Sequence, residues 1–195
     1  MSNHHNDSVE EELSERLRNG ETSALHDLYT RYFNQVYSMV YHAVGRDQYS
    51  AEDIVQETFL SATKSVKRFQ GKSKPYTWLL SIAHHKIADH YRRLEREGKY
   101  NIKNSGSFKM EQDNIADDNE SIYSRLESEE SNADVERALQ NLPHEYREVL
   151  ILKYVEEMSV SEIGQVLGRS LKSVEGLLSR ARKALKSNIK EKGEG

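Results

Sequence analysis

Residues 159–185 read SVSEIGQVLGRSLKSVEGLLSRARKAL. Ser159 followed three residues later by Glu162 is the pattern of a reciprocal helix start, in which hydroxyl and carboxylate each take up a free backbone N–H. Ile163, Val166 and Leu167 then recur at helical spacing up to Gly168, a residue able to adopt the left-handed conformation that ends a helix. Ser170 can cap a second helix whose apolar face is Val174, Leu177, Leu178, Ala181 and Leu185. A short helix, a glycine turn and a longer basic helix make a helix-turn-helix. In that motif the start of the second helix reaches base edges in the major groove, which selects Lys172, Ser173, Glu175, Gly176 and Ser179 as readers. Arg180, Arg182, Lys183 and Lys186 stand where phosphates would lie. A lysine can pair with guanine, and a carboxylate such as that of Glu175 can accept from a cytosine amine. A helical hairpin with a solvated basic face is the alternative that this stretch leaves open.

Outward from the motif, Val135, Ala138, Leu139, Tyr146, Val149, Leu150 and Tyr154 recur three and four apart, with Pro143 suited to a first helical turn. These complete a domain over residues 133–195. Upstream, the charged residues of EQDNIADDNESIYSRLESEESNADVE (residues 111–136) are all acidic except Arg125, the lone base, so 98–132 is expected to be a flexible acidic linker. Residues 1–97 carry four further helical patterns. Val9, Leu13 and Leu17 mark the first, and Leu25, Leu28, Tyr29, Tyr32, Phe33, Val36, Tyr37 and Val40 mark the second as one long apolar stripe. Ser50 and Asp53 form a capping pattern before Ile54, Val55, Phe59 and Ala62. After the loop FQGKSKP come Trp78, Leu79, Ile82, Ala83, Ile87, Tyr91 and Leu94, ending before Gly98. The expected fold class is all-α, with a four-helix N-terminal domain and a helix-turn-helix C-terminal domain.

The chain has 195 residues, no cysteine and 31% charged residues, which excludes a disulfide scaffold. No apolar run is long enough to span a bilayer, and the start MSNHHNDSVEEEL lacks the regions of an export signal, so a cytoplasmic protein without membrane insertion is expected. The net charge of −4 conceals segregation: basic blocks at 86–103 and 169–192 flank the acidic one, which suggests two surfaces facing a polyanion. No phosphate loop, nucleophile elbow or catalytic triad is visible, so neither an enzyme nor a cofactor is expected. His85 and Asp89 lie four apart, but no Glu-x-x-His pattern or cysteine completes a metal site, and no metal is expected.

KPYTWLLSIAHHKIADHYRR (residues 74–93) places Tyr76, Trp78 and Tyr91 on one helix with Lys86, Arg92 and Arg93. Flat rings for unstacked bases and cations along the backbone are what single-stranded nucleic acid requires. Stacking contributes ~1–3 kcal/mol per base, comparable with the few kcal/mol that extruding a base from a duplex costs. Trp78 also shares a face with Leu79 and Ile82 and reads equally as core, while Arg92 and Arg93 also suit a helix C-terminus. In SAEDIVQETFLSA (residues 50–62), Asp53, Gln56, Glu57 and Leu60 lie on a flank that is either a docking face or an N-terminal charge favoured by the helix dipole.

Taken in order, AEDIVQETFL, TWLLSIAHHKIADHYRR, a polar linker and LPHEYREVLILKYVEEMSVSEIGQVLGRSLKSVEGLLSRARKAL resemble the extracytoplasmic-function sigma factors of bacterial RNA polymerase, in the sigma-70 family. The resemblance implies a promoter-specificity subunit with no catalytic residue of its own. It implies that Asp53, Gln56, Glu57 and Phe59 dock on the clamp helices of the polymerase's largest subunit. It places Tyr76, Trp78, His84, His85, Lys86, Asp89, Arg92 and Arg93 at the minus-ten element, where promoter DNA melts. Ser170, Lys172, Ser173, Glu175, Gly176, Ser179, Arg180, Arg182 and Lys183 fall at the minus-thirty-five element, in a domain that also touches the polymerase flap. An anti-sigma factor, commonly membrane-anchored, and a stress or envelope-response regulon are implied as well. The family usually has Asn at His85, and a Gly-Thr-Val-Lys/Arg pattern where this chain has Lys172, Ser173, Val174 and Glu175. On the residues alone, two other classes remain: an ordinary duplex-binding regulator, and a helical hydrolase using His85 and Asp89 with a metal.

Overall fold

The computed structural model describes residues 3–100 and 129–190, which hold eight α-helices and no strand. The N-terminal half consists of α1 (Asn3–Arg18), α2 (Thr22–Ala43), α3 (Gln48–Ser65), a 3-10 turn (Val66–Arg68) and α4 (Pro75–Arg96). The C-terminal half consists of α5 (Glu129–Gln140), α6 (His144–Tyr154), α7 (Val160–Leu167) and α8 (Leu171–Lys190). Most of the acidic connector expected over 98–132 lies outside the described residues.

Apolar spacing dictates the N-terminal packing. Leu28, Tyr32, Val36, Met39 and Val40 line one side of α2, and Ile54, Val55 and Ala62 do the same on α3. Leu79, Leu80, Ala83 and Ile87 give α4 its buried stripe, and Leu13 and Leu17 close α1 over the bundle. The start of α3 differs from the sequence expectation. Asp47, not Ser50, caps it, its carboxylate accepting from the N–H of Tyr49 at 3.1 Å and of Ser50 at 3.4 Å. Ser50 lies inside the helix and donates its hydroxyl back to Asp47 at 2.7 Å. Those bonds hold the Asp47 carboxyl below its ordinary range.

In the C-terminal half the capping box forms as expected: Ser159 N–H donates to the Glu162 carboxylate at 2.9 Å, and Glu162 N–H donates to the Ser159 hydroxyl at 3.2 Å. Gly168 ends α7 with φ 62° and ψ 33°, a conformation in which a side chain would be strained. A Cβ on Gly164 would sit 2.9 Å from the Arg169 carbonyl, so the turn between α7 and α8 closes only over a glycine. Val174, Leu177, Leu178, Ala181 and Leu185 seat α8 on α5, α6 and α7.

The two halves pack together. Their buried apolar residues form one contiguous cluster, with α7 against α4 and α6 against α2. Arg147, only 5% exposed, fastens the seam. Its guanidinium donates to the carbonyls of Leu139 (2.9 Å), Gln140 (2.7 Å) and Leu142 (3.1 Å) at the end of α5. It also reaches across to the carbonyl of Ala43 at 3.0 Å and the hydroxyl of Tyr91 at 3.1 Å. Full satisfaction of its donors is what makes a buried guanidinium tolerable. Beside it the His144 ring stacks on Tyr91 with centroids 4.2 Å apart, and its backbone N–H donates to the Tyr100 hydroxyl at 3.1 Å. Burial pushes His144 down to about 4, so it is neutral near pH 7.

Candidate nucleic-acid interface

The first surface is the exposed side of α8. Ser170 accepts from the Ser173 N–H at 3.3 Å and so starts the helix as anticipated. Lys172, Ser173, Glu175 and Lys183 are exposed, whereas Gly176, Ser179, Arg180 and Arg182 are half-buried. The half-buried cations are held in place. Arg182 donates to the Tyr154 hydroxyl at 3.4 Å, and Arg180 lies close over Gly176, where a Cβ would come 3.4 Å from Nη1. Arg169 pairs with Glu145 at 3.1 Å and ties the turn to α6. A helix presented this way, with its first turn free and its cations on the flank, has the shape and charge to lie in a DNA groove.

The second surface is α4. Pro75 sets its first turn, with Lys74 extended before it. Trp78 is half-buried with its ring 5.1 Å from Phe69, partly core and partly open. His85, Asp89, Arg92 and Arg93 are exposed, and Lys86 reaches Glu57 of α3 at 3.2 Å. Asp89 pairs with Arg92 at 3.2 Å rather than turning to His85. Among the described residues no cluster of three or more metal-ligating side chains forms. Tyr91 departs from the expectation that it stacks on a base: it is buried, donating to the Ala43 carbonyl at 3.1 Å and accepting from Arg147. Its place in the apolar period of α4 outweighs its position beside the basic pair.

Tyr76 and His84 face the other half of the chain. Tyr76 lies over Tyr32 with centroids 5.0 Å apart and donates to Glu156 at 2.6 Å. Burial and that bond raise its hydroxyl pKa. The Nδ1 of His84 is 2.9 Å from the Oε1 of Glu148, a carboxylate on α6 that is almost wholly buried. Burial alone lowers the imidazole, but the hydrogen bond and charge of Glu148 together outweigh it, and the net shift is upward. The first turn of α4 completes this side: Lys74 Nζ lies 3.9 Å from Glu162.

The third surface is an apolar groove of about 360 Å³ between α2 and α3. Tyr29, Phe33, Phe59 and Leu60 line it, with the Tyr29 ring 5.0 Å from both Phe33 and Phe59. Tyr29 and Leu60 stay 46% and 51% exposed, two large apolar side chains left uncovered side by side in one groove. Asp53, Gln56 and Glu57 are exposed on α3 beside it. Sequence reading found Phe59 and its polar neighbours but placed Tyr29 and Phe33 in the core stripe. The period of α2 puts them on its edge, where apolar identity alone does not distinguish core from groove.

With three such surfaces in view, comparison with known proteins is decisive. Residues 28–97 match the family description "Sigma-70 region 2", and residues 132–185 match "Sigma-70, region 4". The RNA polymerase sigma factor YlaC of Bacillus subtilis is 31% identical over 171 residues, spanning 88% of this chain and 95% of that protein. The chain is an extracytoplasmic-function sigma factor. The ECF RNA polymerase sigma factor SigW of Bacillus subtilis is 28% identical, over 90% of this chain and 94% of its own. Among solved structures, CnrH in complex with the cytosolic domain of CnrY shares the fold with a TM-score of 0.62 at 24% identity, covering 93% of this sigma factor and 97% of that chain. RpoE in complex with the anti-sigma factor NepR from Bartonella quintana shares it with a TM-score of 0.56 at 23% identity, covering 84% and 97%.

Regions 2 and 4 of the sigma factor therefore correspond to α2–α4 and α5–α8, and the Arg147 fastening lies between them. No described helix is long and apolar enough to cross a membrane. Sequence reading missed Arg147, Glu148 and Glu156, whose partners stand 56, 64 and 80 residues away in the chain.

Proposed function

We propose that the protein binds core RNA polymerase through α3, captures the melted minus-ten strand on α4, and reads the minus-thirty-five duplex with α8. Asp53, Gln56, Glu57 and Phe59 dock on the clamp helices of the largest subunit, with Tyr29 and Leu60 supplying the apolar anchor in the adjoining groove. Tyr76, Trp78, His84, His85, Lys86, Asp89, Arg92 and Arg93 serve the opened strand. Ser170, Lys172, Ser173, Glu175, Gly176 and Ser179 face the base edges, with Arg180, Arg182 and Lys183 toward phosphates, while region 4 also meets the flap. The domain limits that go with this reading are 1–97 and 133–195, joined over 98–132.

The observation that carries the reading is the uncovered aromatic groove beside the acidic flank of α3, since a surface of that kind implies a protein partner as well as DNA. The chain supplies recognition and no chemistry; phosphodiester synthesis belongs to the polymerase. It acts in the cytoplasm on a stress or envelope-response regulon, under an anti-sigma factor of the kind commonly anchored in a membrane. Support for that partner comes from the family and from a solved structure of like fold described as bound to one.

Run-off transcription with purified bacterial core polymerase on a pool of promoter fragments tests the proposal. Specific transcripts that need the protein are expected. Salt-sensitive duplex binding without any polymerase binding would replace the reading with an ordinary DNA-binding regulator.

A further inference from the structure

Resting on the reading of α8 just proposed, we propose that Leu171 is a base-reading residue, seating its side chain on the methyl group of a thymine while Glu175 takes the amine of the neighbouring cytosine on the same strand. The buried row of α8 runs back through Leu185, Ala181, Leu178 and Val174 toward the start of the helix. Leu171 is the next residue of that row, yet it is 54% exposed, where the helix projects past the core that covers the rest. A lone exposed leucine elsewhere on a surface needs no explanation. This one opens the helix whose first turn is offered to base edges. Its backbone is held on both sides. The Ser170 hydroxyl accepts from the Ser173 N–H at 3.3 Å, and the Ser170 carbonyl accepts from the Val174 N–H at 3.0 Å. Arg169 donates its N–H to the Gly164 carbonyl at 3.0 Å and pairs through its guanidinium with Glu145 at 3.1 Å. A side chain carried on such a turn is presented to a partner with little further ordering to do.

Position on the helix and the chemistry of base edges select the target. Glu175 follows Leu171 by one helical turn and Arg182 follows Glu175 by two, so the three return to one flank of α8. They therefore address one strand, with Arg182 toward its phosphates. Side chains four apart on a helix stand ~5–6 Å from each other, and successive bases of a strand are ~3.4 Å apart along the duplex axis, so Leu171 and Glu175 fall on adjacent bases. In the major groove thymine alone carries a methyl group. Cytosine shows an amine donor and no acceptor, whereas guanine O6 and N7 and thymine O4 repel a carboxylate, and adenine sets N7 beside its amine. Lys172 and Lys183, exposed on the same helix, offset the repulsion between Glu175 and the phosphates. The pair thus selects a thymine next to a cytosine.

The test begins with random-sequence duplexes retained by the full-length protein, with and without core polymerase, and the retained set is expected to share a step of cytosine beside thymine. Replacing that thymine by deoxyuridine removes one methyl group from the base and nothing else. Fluorescence anisotropy should then show an affinity about fourfold lower for the wild-type protein, the factor that burial of one methyl group supplies. In Leu171→Ala the thymine and uracil duplexes should bind equally. That variant sits at an exposed first-turn position and should melt as the wild type does. A leucine serving only the fold would leave the uracil comparison unchanged. Glu175→Gln should lose the cytosine preference and keep the discrimination against uracil, because the two contacts are to separate bases. Equal wild-type affinity for thymine and uracil would overturn the proposal. So would discrimination that survives in Leu171→Ala, or a retained set without the step. In each of those cases polymerase-dependent transcripts can still form, and the proposed function stands. No retained duplex in either condition would overturn this proposal and the reading of α8 together.

Discussion

Replacing Arg147 by alanine is the sharpest perturbation of the fold. The guanidinium makes five hydrogen bonds, three to the end of α5 and two across the seam. At α5 the Gln140 residue is exposed, so water can replace some of what is lost there. The Ala43 carbonyl and the Tyr91 hydroxyl are buried and keep the bond they make to each other, so what is lost is two hydrogen bonds to a charged donor, ~1.5–3 kcal/mol each. Adding the void left by a large buried side chain, and allowing that neighbouring losses are not additive, Arg147→Ala should cost about 3–5 kcal/mol. For a chain of this length that is a fall in melting temperature on the order of 10 °C. Urea denaturation followed by far-ultraviolet circular dichroism measures it, and the single cooperative transition of the wild type should split as the halves uncouple. Arg147→Lys retains the charge but not the planar fork, and should recover less than half of the loss. A loss below ~1 kcal/mol with one transition retained would refute the role given to Arg147.

Leu60→Asp should weaken core polymerase binding by ~2 kcal/mol, about thirtyfold, without changing helicity, as measured by surface plasmon resonance. Gly164→Val pushes a side chain against the Arg169 carbonyl and should cost ~1–3 kcal/mol with loss of duplex binding, read by thermal melting and fluorescence anisotropy. Lys183→Ala should weaken duplex binding on all sequences and reduce the salt slope by about 1, whereas Glu175→Gln should relax preference at one base pair. His144 sets a pH dependence. Its pKa is about 4 in the fold against 6.5 unfolded, so the unfolded chain binds more protons between those values. Its contribution is fully present above pH 6.5 and is lost as pH falls toward 4, on the order of 3 kcal/mol in all. His84 acts oppositely: its raised pKa favours the fold below 6.5 and less so as pH rises through the folded value. His144→Phe should flatten the acid limb in urea titrations between pH 4 and 7.

Local structure was legible because its signals are local. The Ser159–Glu162 box, the terminating glycines at 98 and 168, and the stripes of α2, α4 and α8 lie within a few residues of what they specify. The cap of α3 misled because Asp47 and Ser50 are both good caps three residues apart, and only backbone geometry shows which carbonyl begins the ladder. The seam was not legible. Arg147 and Glu148 read as the polar side of an amphipathic helix, and nothing periodic marks that they face Tyr91 and His84 in another helix. Tyr91 carried two readings, stacker and core residue, and the apolar period of α4 favoured the second.

The shared apolar cluster bears on how such proteins can be recombined. Regions 2 and 4 match family descriptions separately, which invites exchanging one of them between relatives to redirect promoter choice. Here each region is also the other's wall. A chimera with a foreign region 4 would present His84, Tyr76 and Lys74 to whatever side chains that region carries, and would leave Ala43 and Tyr91 without their guanidinium unless an arginine stands at the same place. Promoter choice is modular along the chain, whereas thermal stability is held in common.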